Sequence, residues 1–524
     1  MRTPVILYVL ALLVRAALVA AYPDPGYTDA YYYVDAARSI AQGNGFNVDV
    51  LWIFPEIGGT IPADPTLPIP AFGHWMPLAA LVQVPFLAVF GPQPWASAAP
   101  FVLIGATAAP LTWAIARDAG ASSFVSAAAG VLAVVPALAV AFMVQPDNFA
   151  LFQPLVAGAL WMTARGLKGS TRSFVLAGLL AGLATLSRTD GVLVLGVVVL
   201  AFAWDRTRGR HVLTWTSLAG AVGVFLLVMA PWWIRQLAVF GTISPSMASG
   251  KVLFIRSIGE WDSIAIPASL DHLLGMGAGP LLASRVGGLI AALTIYVVLI
   301  TGIVLAPFVV VGGWVSRRSV DFGPFFAYAA LLFGFSALAS AVHVPGGTFI
   351  HSAVALAPHS YVLAMLGIAA TVAWFGRRRT GWDPQPAARL ATVGLLGVVM
   401  IGALTSVSVV HAGWAAGRDQ LLAVRDALDA AGAPDSARVM SIDAAATRYW
   451  TGRGGVVLVN DPLATIAEVA HAYDVDWLVL DRGAIDATTP VLDGDRPAWV
   501  GEPILEEGDP VEIAVYPIGR DLAE

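Results

Sequence analysis

Three aspartates, Asp24, Asp29 and Asp35, fall within twelve residues of a chain in which charged residues make up only 12%. They follow the first apolar segment directly, and the same stretch carries Tyr31, Tyr32 and Tyr33 before a turn at Gly43, Gly45 and Phe46. A carboxylate partly withdrawn from water at a membrane face has its pKa raised toward the range where it can take a proton from a hydroxyl. Asp29 is therefore read as a general base. A purely structural role is also open, because Thr28 or Asp29 could cap a helix starting at Ala30, and the two roles are compatible. Asp35 lies six residues further on and faces another part of the helix surface. The tyrosines could stack on a sugar ring or sit in an interfacial aromatic belt.

Other polar residues are placed where they are costly. Asp147, after Gln145 and Pro146, stands at the start of an apolar segment, where it could cap a helix or assist Asp29. Arg188 lies between two short apolar segments, at the break Ser187 to Gly191. It needs an anion there, either Asp190 or a phosphate head group, whose oxygens match the guanidinium fork. Arg15 falls inside the first apolar segment and also calls for an anionic partner. Arg235, after Trp232 and Trp233, reads as an interfacial anchor. His343, His351 and His359 gather near Pro345, Gly346 and Gly347, with His74 elsewhere, which raises zinc as an option. His351 and His359 would be held about 12 Å apart by helix rise, too far for one ion. Hydrogen bonding to a phosphate or an acceptor suits those two better. A segment over residues 241–285, with Lys251, Arg256, Glu260, Trp261 and Asp262, is the kind of loop that closes over a bound substrate.

The rest of the chain has to position these residues at a bilayer. Over 524 residues it is 58% hydrophobic with a mean hydropathy of +0.75. That excludes an ordinary soluble protein and implies an α-helical polytopic membrane protein. The absence of cysteine excludes disulfides, thiolate metal sites and cysteine nucleophiles. No nucleic-acid partner is expected. Residues 4–21 read as a retained span, followed by an outer loop over 22–94. The apolar run from His74 to Phe90 is short and interrupted by Pro85. If it crossed the membrane, every later basic loop would be inverted, so it is placed as a juxtamembrane helix. The further spans are expected at about 95–116, 122–142, 148–164, 173–187, 191–204, 213–234, 286–311, 322–342, 358–376 and 388–410, about eleven in all. The N-terminus is then cytoplasmic and the C-terminus outside, in the plasma or inner membrane. Composition shifts at 411/412, so residues 1–411 read as a transmembrane domain and 412–524 as a small extracytoplasmic α/β domain of alternating helices and strands. An amphipathic helix is expected over Arg418 to Ala431.

The combination of a first span, Asp29 with Tyr31 to Tyr33, the turn at Gly43, Gly45 and Phe46, and His74-Trp-Met-Pro77-Leu78 opening a helix that ends at Phe90 and Gly91 resembles the GT-C superfamily of membrane glycosyltransferases. Protein O-mannosyltransferases and lipid A aminoarabinose transferases are members. The resemblance covers roughly residues 1–410 and is sharpest in 22–91. The mannosyltransferases carry an Asp-Glu pair in this loop, whereas Ala30 follows Asp29 here. The resemblance implies an enzyme that moves a sugar from a polyprenyl-phosphate donor to an acceptor hydroxyl on a lipid, glycan or protein, with inversion at the anomeric carbon. It places Asp29 as the base, Asp147 as its helper, Arg188, Arg15, His351 and His359 at the donor phosphate, and Tyr32, Tyr33 and His74 at the substrate. It leaves a divalent metal held by Asp29 and Asp147 open, since family members differ on it. The chief alternative is a transporter or lipid flippase. Transporters commonly show paired repeats with broken helices near the midplane, whereas here one break stands alone and the polar residues gather on one side. A membrane-anchored scaffold would leave the outer loop and its carboxylates without a purpose.

Overall fold

The computed structural model describes residues 2–243, 251–340, 342, 348–379 and 383–519. The chain is an integral membrane protein. Among the described residues six helices are long and apolar enough to cross a bilayer: Arg2–Ala21, Pro94–Asp118, Trp215–Phe240, Ala278–Ile300, Phe349–Gly376 and Pro384–Ala430. The pair Ser123–Val134 and Ala137–Val144 passes the same test only when taken together and is bent by 54°, the form of a broken span or a re-entrant loop. The other expected spans are helical: Phe149–Leu167 has 19 residues, whereas Thr171–Ser187, Val192–Thr207 and Gly323–Leu338 are shorter. Thr171–Ser187 is 17 residues long. At about 1.5 Å per residue it falls short of a hydrocarbon core of about 30 Å. The ends of such helices need protein around them, and the break after Ser187 is indeed buried. The single span expected at 286–311 is divided, with Ala278–Ile295 running into a π turn and a new helix beginning at Ala306. Gly302 and Ile303, at φ 58° and 65°, make that break.

The segment after the first helix folds as a unit. Helix Thr28–Ala41 buries Tyr31, Tyr32 and Tyr33. The short helices Leu78–Leu81 and Val84–Phe90 pack beside it and match the juxtamembrane element in place. Asn47–Val48 pairs antiparallel with Ile69–Pro70.

The C-terminal part contains a six-stranded sheet in the order Val50–Leu51, Gly455–Val457, Val439–Ser441, Trp477–Asp481, Ile513–Pro517, Leu505–Glu507. The first four run parallel and the last two antiparallel to their neighbours. One edge strand thus comes from the segment after the first helix, which binds that segment to the α/β unit through backbone pairing. The expected separate helix over Arg418 to Ala431 is instead the end of one 47-residue helix, Pro384–Ala430. The compositional shift at 411/412 falls inside it, because no proline or helix-ending glycine turn interrupts the chain there.

Candidate active site

Helix Thr28–Ala41 begins two residues earlier than the capping reading requires. Its N-cap is Tyr27, with extended backbone and no side-chain cap. Neither Thr28 nor Asp29 caps it. The Thr28 hydroxyl donates to Asp443 Oδ2 at 2.8 Å. Asp29 stands in the first turn, where the positive end of the helix favours a carboxylate.

Asp147 arrives from the bend that follows Ala137–Val144. It is not the N-cap of Phe149–Leu167 either, since that place belongs to Asn148. Instead its Oδ1 accepts the Asn148 backbone N–H. Its Oδ2 accepts the Tyr27 hydroxyl at 2.8 Å. His351, from the short helix Thr348–Ala353, lies between the two acids. Its Nδ1 is 3.6 Å from Asp29 Oδ2 and its Nε2 is 3.7 Å from Asp147 Oδ2. The three residues offer ligand atoms within 4.8 Å of one another.

These groups are not equivalent. The Asp147 side chain is 0% exposed and the Asp29 side chain 25%, so only Asp29 is open to a reactant. Burial raises the pKa of both carboxyls, and the charge of Asp29 raises that of Asp147 further. The Trp75 indole and the Arg188 guanidinium pull Asp29 the other way, while Asp443 pushes it up. A neutral imidazole has one N–H, so His351 can satisfy only one of the two acids it faces. The cluster therefore has room for a further proton or a cation. Two carboxylates and an imidazole are hard and borderline donors that suit a divalent ion such as Mn²⁺ or Zn²⁺.

Arg188 supplies positive charge from the break between Thr171–Ser187 and Val192–Thr207. Its extended backbone ends the first helix. Its Nε donates to Asp190 Oδ1 at 3.1 Å, and its charge acts on both Asp29 and Asp147. Asp190 also accepts the Ser352 hydroxyl, which ties the break to the residue after His351. Tyr33 is buried beside both acids, with its hydroxyl bonded to the Asn148 side chain. His74 is half-buried between the rings of Trp75 and Trp261. Burial and Arg188 lower its pKa to about 4, so it is neutral at neutral pH.

Three expected site residues stand elsewhere. Arg15 is 1% exposed and its guanidinium donates to the carbonyls of Ala11, Ala133 and Val134. It satisfies backbone freed by the 134–137 bend instead of a phosphate, because the carbonyls of Ala133 and Val134, at a helix end, have lost their helical partners. His359 is fully buried two turns below His351 and stacks on Phe325 at 5.3 Å. Among the described residues no hydrogen bond or ion pair links it to the acids. Tyr32 is closed into the segment after the first helix: its hydroxyl accepts the Phe72 N–H and donates to Glu56 Oε1, and its ring stacks on Trp75. His343 and the segment Pro345–Gly347 lie outside the described residues. Asp24 accepts the Tyr449 hydroxyl and Asp35 pairs with Arg448 at 3.8 Å, so both hold that segment against helix Ala444–Thr451. Sequence reading missed Tyr27, Trp75, Asp190 as a tie to Ser352, and Asp443. The proximity of Tyr27 to Asp29 in the chain was the one available signal.

The sequence profile of dolichyl-phosphate-mannose-protein mannosyltransferases matches residues 73–234. No curated protein sequence matches the chain. Among solved structures, the chain is similar to ArnT from Cupriavidus metallidurans bound to undecaprenyl phosphate, with TM-score 0.56 and 14% identity over 99% of both chains. It is similar to the Archaeoglobus fulgidus oligosaccharyltransferase in complex with Zn and sulfate, with TM-score 0.56 and 13% identity over 95% of this chain and 71% of that one. The same archaeal enzyme, AglB, in complex with an inhibitory peptide and a dolichol-phosphate gives TM-score 0.54 and 14% identity over 91% and 69%. The fold is GT-C.

Proposed function

We propose that this GT-C-fold membrane protein is a glycosyltransferase that moves a sugar from a polyprenyl phosphate to an acceptor hydroxyl. The observation that carries the reading is the juxtaposition of Asp29, Asp147 and His351 beside Arg188, where helix Thr28–Ala41 meets three helix ends. The matched family and the lipid phosphates bound by two similar structures support it.

Asp29, the accessible acid, takes the proton of the acceptor hydroxyl as its oxygen bonds to the anomeric carbon. The bond from that carbon to the phosphate oxygen breaks, and the polyprenyl phosphate leaves with the electron pair. Attack opposite the leaving group inverts the centre. Arg188 offsets the negative charge that develops on the departing phosphate. Asp147 is held by Tyr27 and the Asn148 N–H, and it orients His351 toward Asp29. Tyr33 and His74 line the approach, where a neutral imidazole offers a hydrogen bond without a competing charge. A divalent ion held by Asp29, Asp147 and His351 would supply Lewis-acid charge at this point. In this reading the cluster and the α/β unit face the outside and the N-terminus the cytoplasm, in the plasma or inner membrane.

Purified protein is assayed with a panel of polyprenyl-phosphate sugars, following polyprenyl phosphate release and the anomeric configuration of the product. Release of the lipid phosphate with an inverted product is expected. A protein that binds none of these donors, or that carries one across vesicles unchanged, overturns the reading and favours the flippase.

A further inference from the structure

A second concave site adjoins the acid cluster without being part of it. A cavity of about 210 Å³ opens between the α/β sheet, the Gly26–Tyr27 segment and the long helix, with Asp443, Asp481, Trp414, Arg418, Tyr27 and Tyr31 in its wall. Asp443 follows strand Val439–Ser441 and Asp481 ends the neighbouring parallel strand Trp477–Asp481. Both therefore stand at the carboxyl ends of parallel strands, where open α/β sheets bind ligands.

We propose that this cavity holds the terminal sugar unit of a glycan acceptor, an assignment that rests on the transferase reading above. The polar and aromatic groups of the wall carry the argument together. Among the described residues, burial and the charge of Asp443 act on the Asp481 carboxylate, with no hydrogen bond or cation beside them. Asp443 is already engaged, by the Thr28 hydroxyl and the Ala446 N–H. Arg418 is occupied by its neighbour Asp419 at 2.7 Å. An unengaged carboxylate beside aromatic faces takes hydroxyl donors at its oxygens and the C–H face of a ring against the indole. Trp414 is half-buried, packed by Tyr22, Tyr27, Phe142 and His411, and the part of its indole that lines the cavity supplies that face. A Cβ on Gly26 would lie 2.2 Å from the Trp414 ring, so glycine is what lets the indole form this wall.

A sugar and a polyamine would both find acceptors at these carboxylates, and the spermidine arm of the experiment separates them. The volume is below the roughly 300 Å³ at which pockets for drug-sized ligands begin, which suits one end of a chain. The position suits delivery, because Thr28, bonded to Asp443, precedes Asp29 in the chain, and Tyr27 touches both the cavity and Asp147.

Full-length protein in lipid nanodiscs is titrated with linear tetrasaccharides of arabinose, mannose and glucose, read by saturation-transfer NMR. Undecaprenyl phosphate and spermidine serve as comparison probes, and thermal melting checks folding. The proposal expects the wild type to bind at least one tetrasaccharide. Asp481→Asn and Trp414→Ala should each weaken that binding by about tenfold or more, or about 1.4 kcal/mol, with undecaprenyl phosphate affinity unchanged. Absence of glycan binding by the wild type, equal glycan affinity in both folded variants, or displacement of the glycan by spermidine would overturn it. Failure of the wild type to bind undecaprenyl phosphate would instead break the transferase reading, so the two failures are distinguishable.

Discussion

The α/β unit and the acid cluster treat their carboxylates in opposite ways. At the surface of the α/β unit acids meet cations: Arg453 holds Asp429 at 2.7 Å and Arg482 holds Asp493 at 2.8 Å, both acids being largely exposed. In the cluster two desolvated acids face a single imidazole at 3.6 and 3.7 Å, longer than a hydrogen bond. Exposed pairs are worth little and need no burial. The cluster places charge where it costs most and leaves it incompletely matched. Desolvated, partly matched groups are what proton transfer and ion binding require, and a fold does not gain stability from them.

Breaking the cluster should cost activity, whereas breaking the ion pairs should cost only a little stability. The largest effect expected from a neighbour of Asp29 comes from Asp147→Asn or His351→Ala. Each should lower transfer about 10- to 100-fold, the range seen when groups that hold or orient a metal or a base are removed. If the cluster holds a divalent ion, EDTA should produce a similar loss in the wild type, restored by Mn²⁺ or Zn²⁺, and little further loss in Asp147→Asn. Next, Asp190→Ala frees Arg188 and Ser352 together. A roughly tenfold fall in kcat is expected in the folded variant, with some loss of thermal stability, because Asp190 positions both groups from a buried site and touches no substrate. Tyr27→Phe removes a hydroxyl donor to a fully buried carboxyl. A loss of about 1.5–3 kcal/mol is expected by denaturant unfolding, the value of a hydrogen bond to a charged group. Asp493→Asn, at the more exposed of the two pairs, is the smallest: activity should stay at the wild-type level and stability should fall by less than about 1 kcal/mol.

The pH dependence sharpens the same contrast. Burial raises the pKa of Asp29, so its active, ionised form is lost on acidification earlier than for an ordinary carboxylate near 4. The rate should therefore rise through an acid limb above pH 4. Asp443→Asn removes a charge that pushes Asp29 up, and the limb should move to lower pH. A limb that stays in place separates the two acids electrostatically.

Much of this was legible in the sequence because costly residues announce themselves. Asp29, Asp147 and Arg188 are polar groups at the ends of apolar runs, and the structure brings those three together. The helices and strands of the C-terminal part followed from their period and composition. What stayed hidden depends on long-range geometry. The edge strand Val50–Leu51 is two residues long and has no sequence signal apart from its partner. Arg15 looked like an anion seeker because a bend 119 residues away, whose carbonyls it satisfies, cannot be read locally. His351 and His359 are alike in sequence, and only packing sends one to the acids and the other into a phenylalanine cage. The helix Pro384–Ala430 passes through a change of composition because hydropathy reports the solvent around a helix and says little about where it ends.

Asp29→Asn is the sharpest trial of the account. The variant keeps the size and the hydrogen-bonding face of the side chain and removes its capacity to take a proton. Measured with a polyprenyl-phosphate sugar that the wild type uses, it should retain undecaprenyl phosphate binding and lose transfer by about 10²- to 10⁴-fold, the usual contribution of a general base. A folded variant that transfers sugar at the wild-type rate would contradict the account.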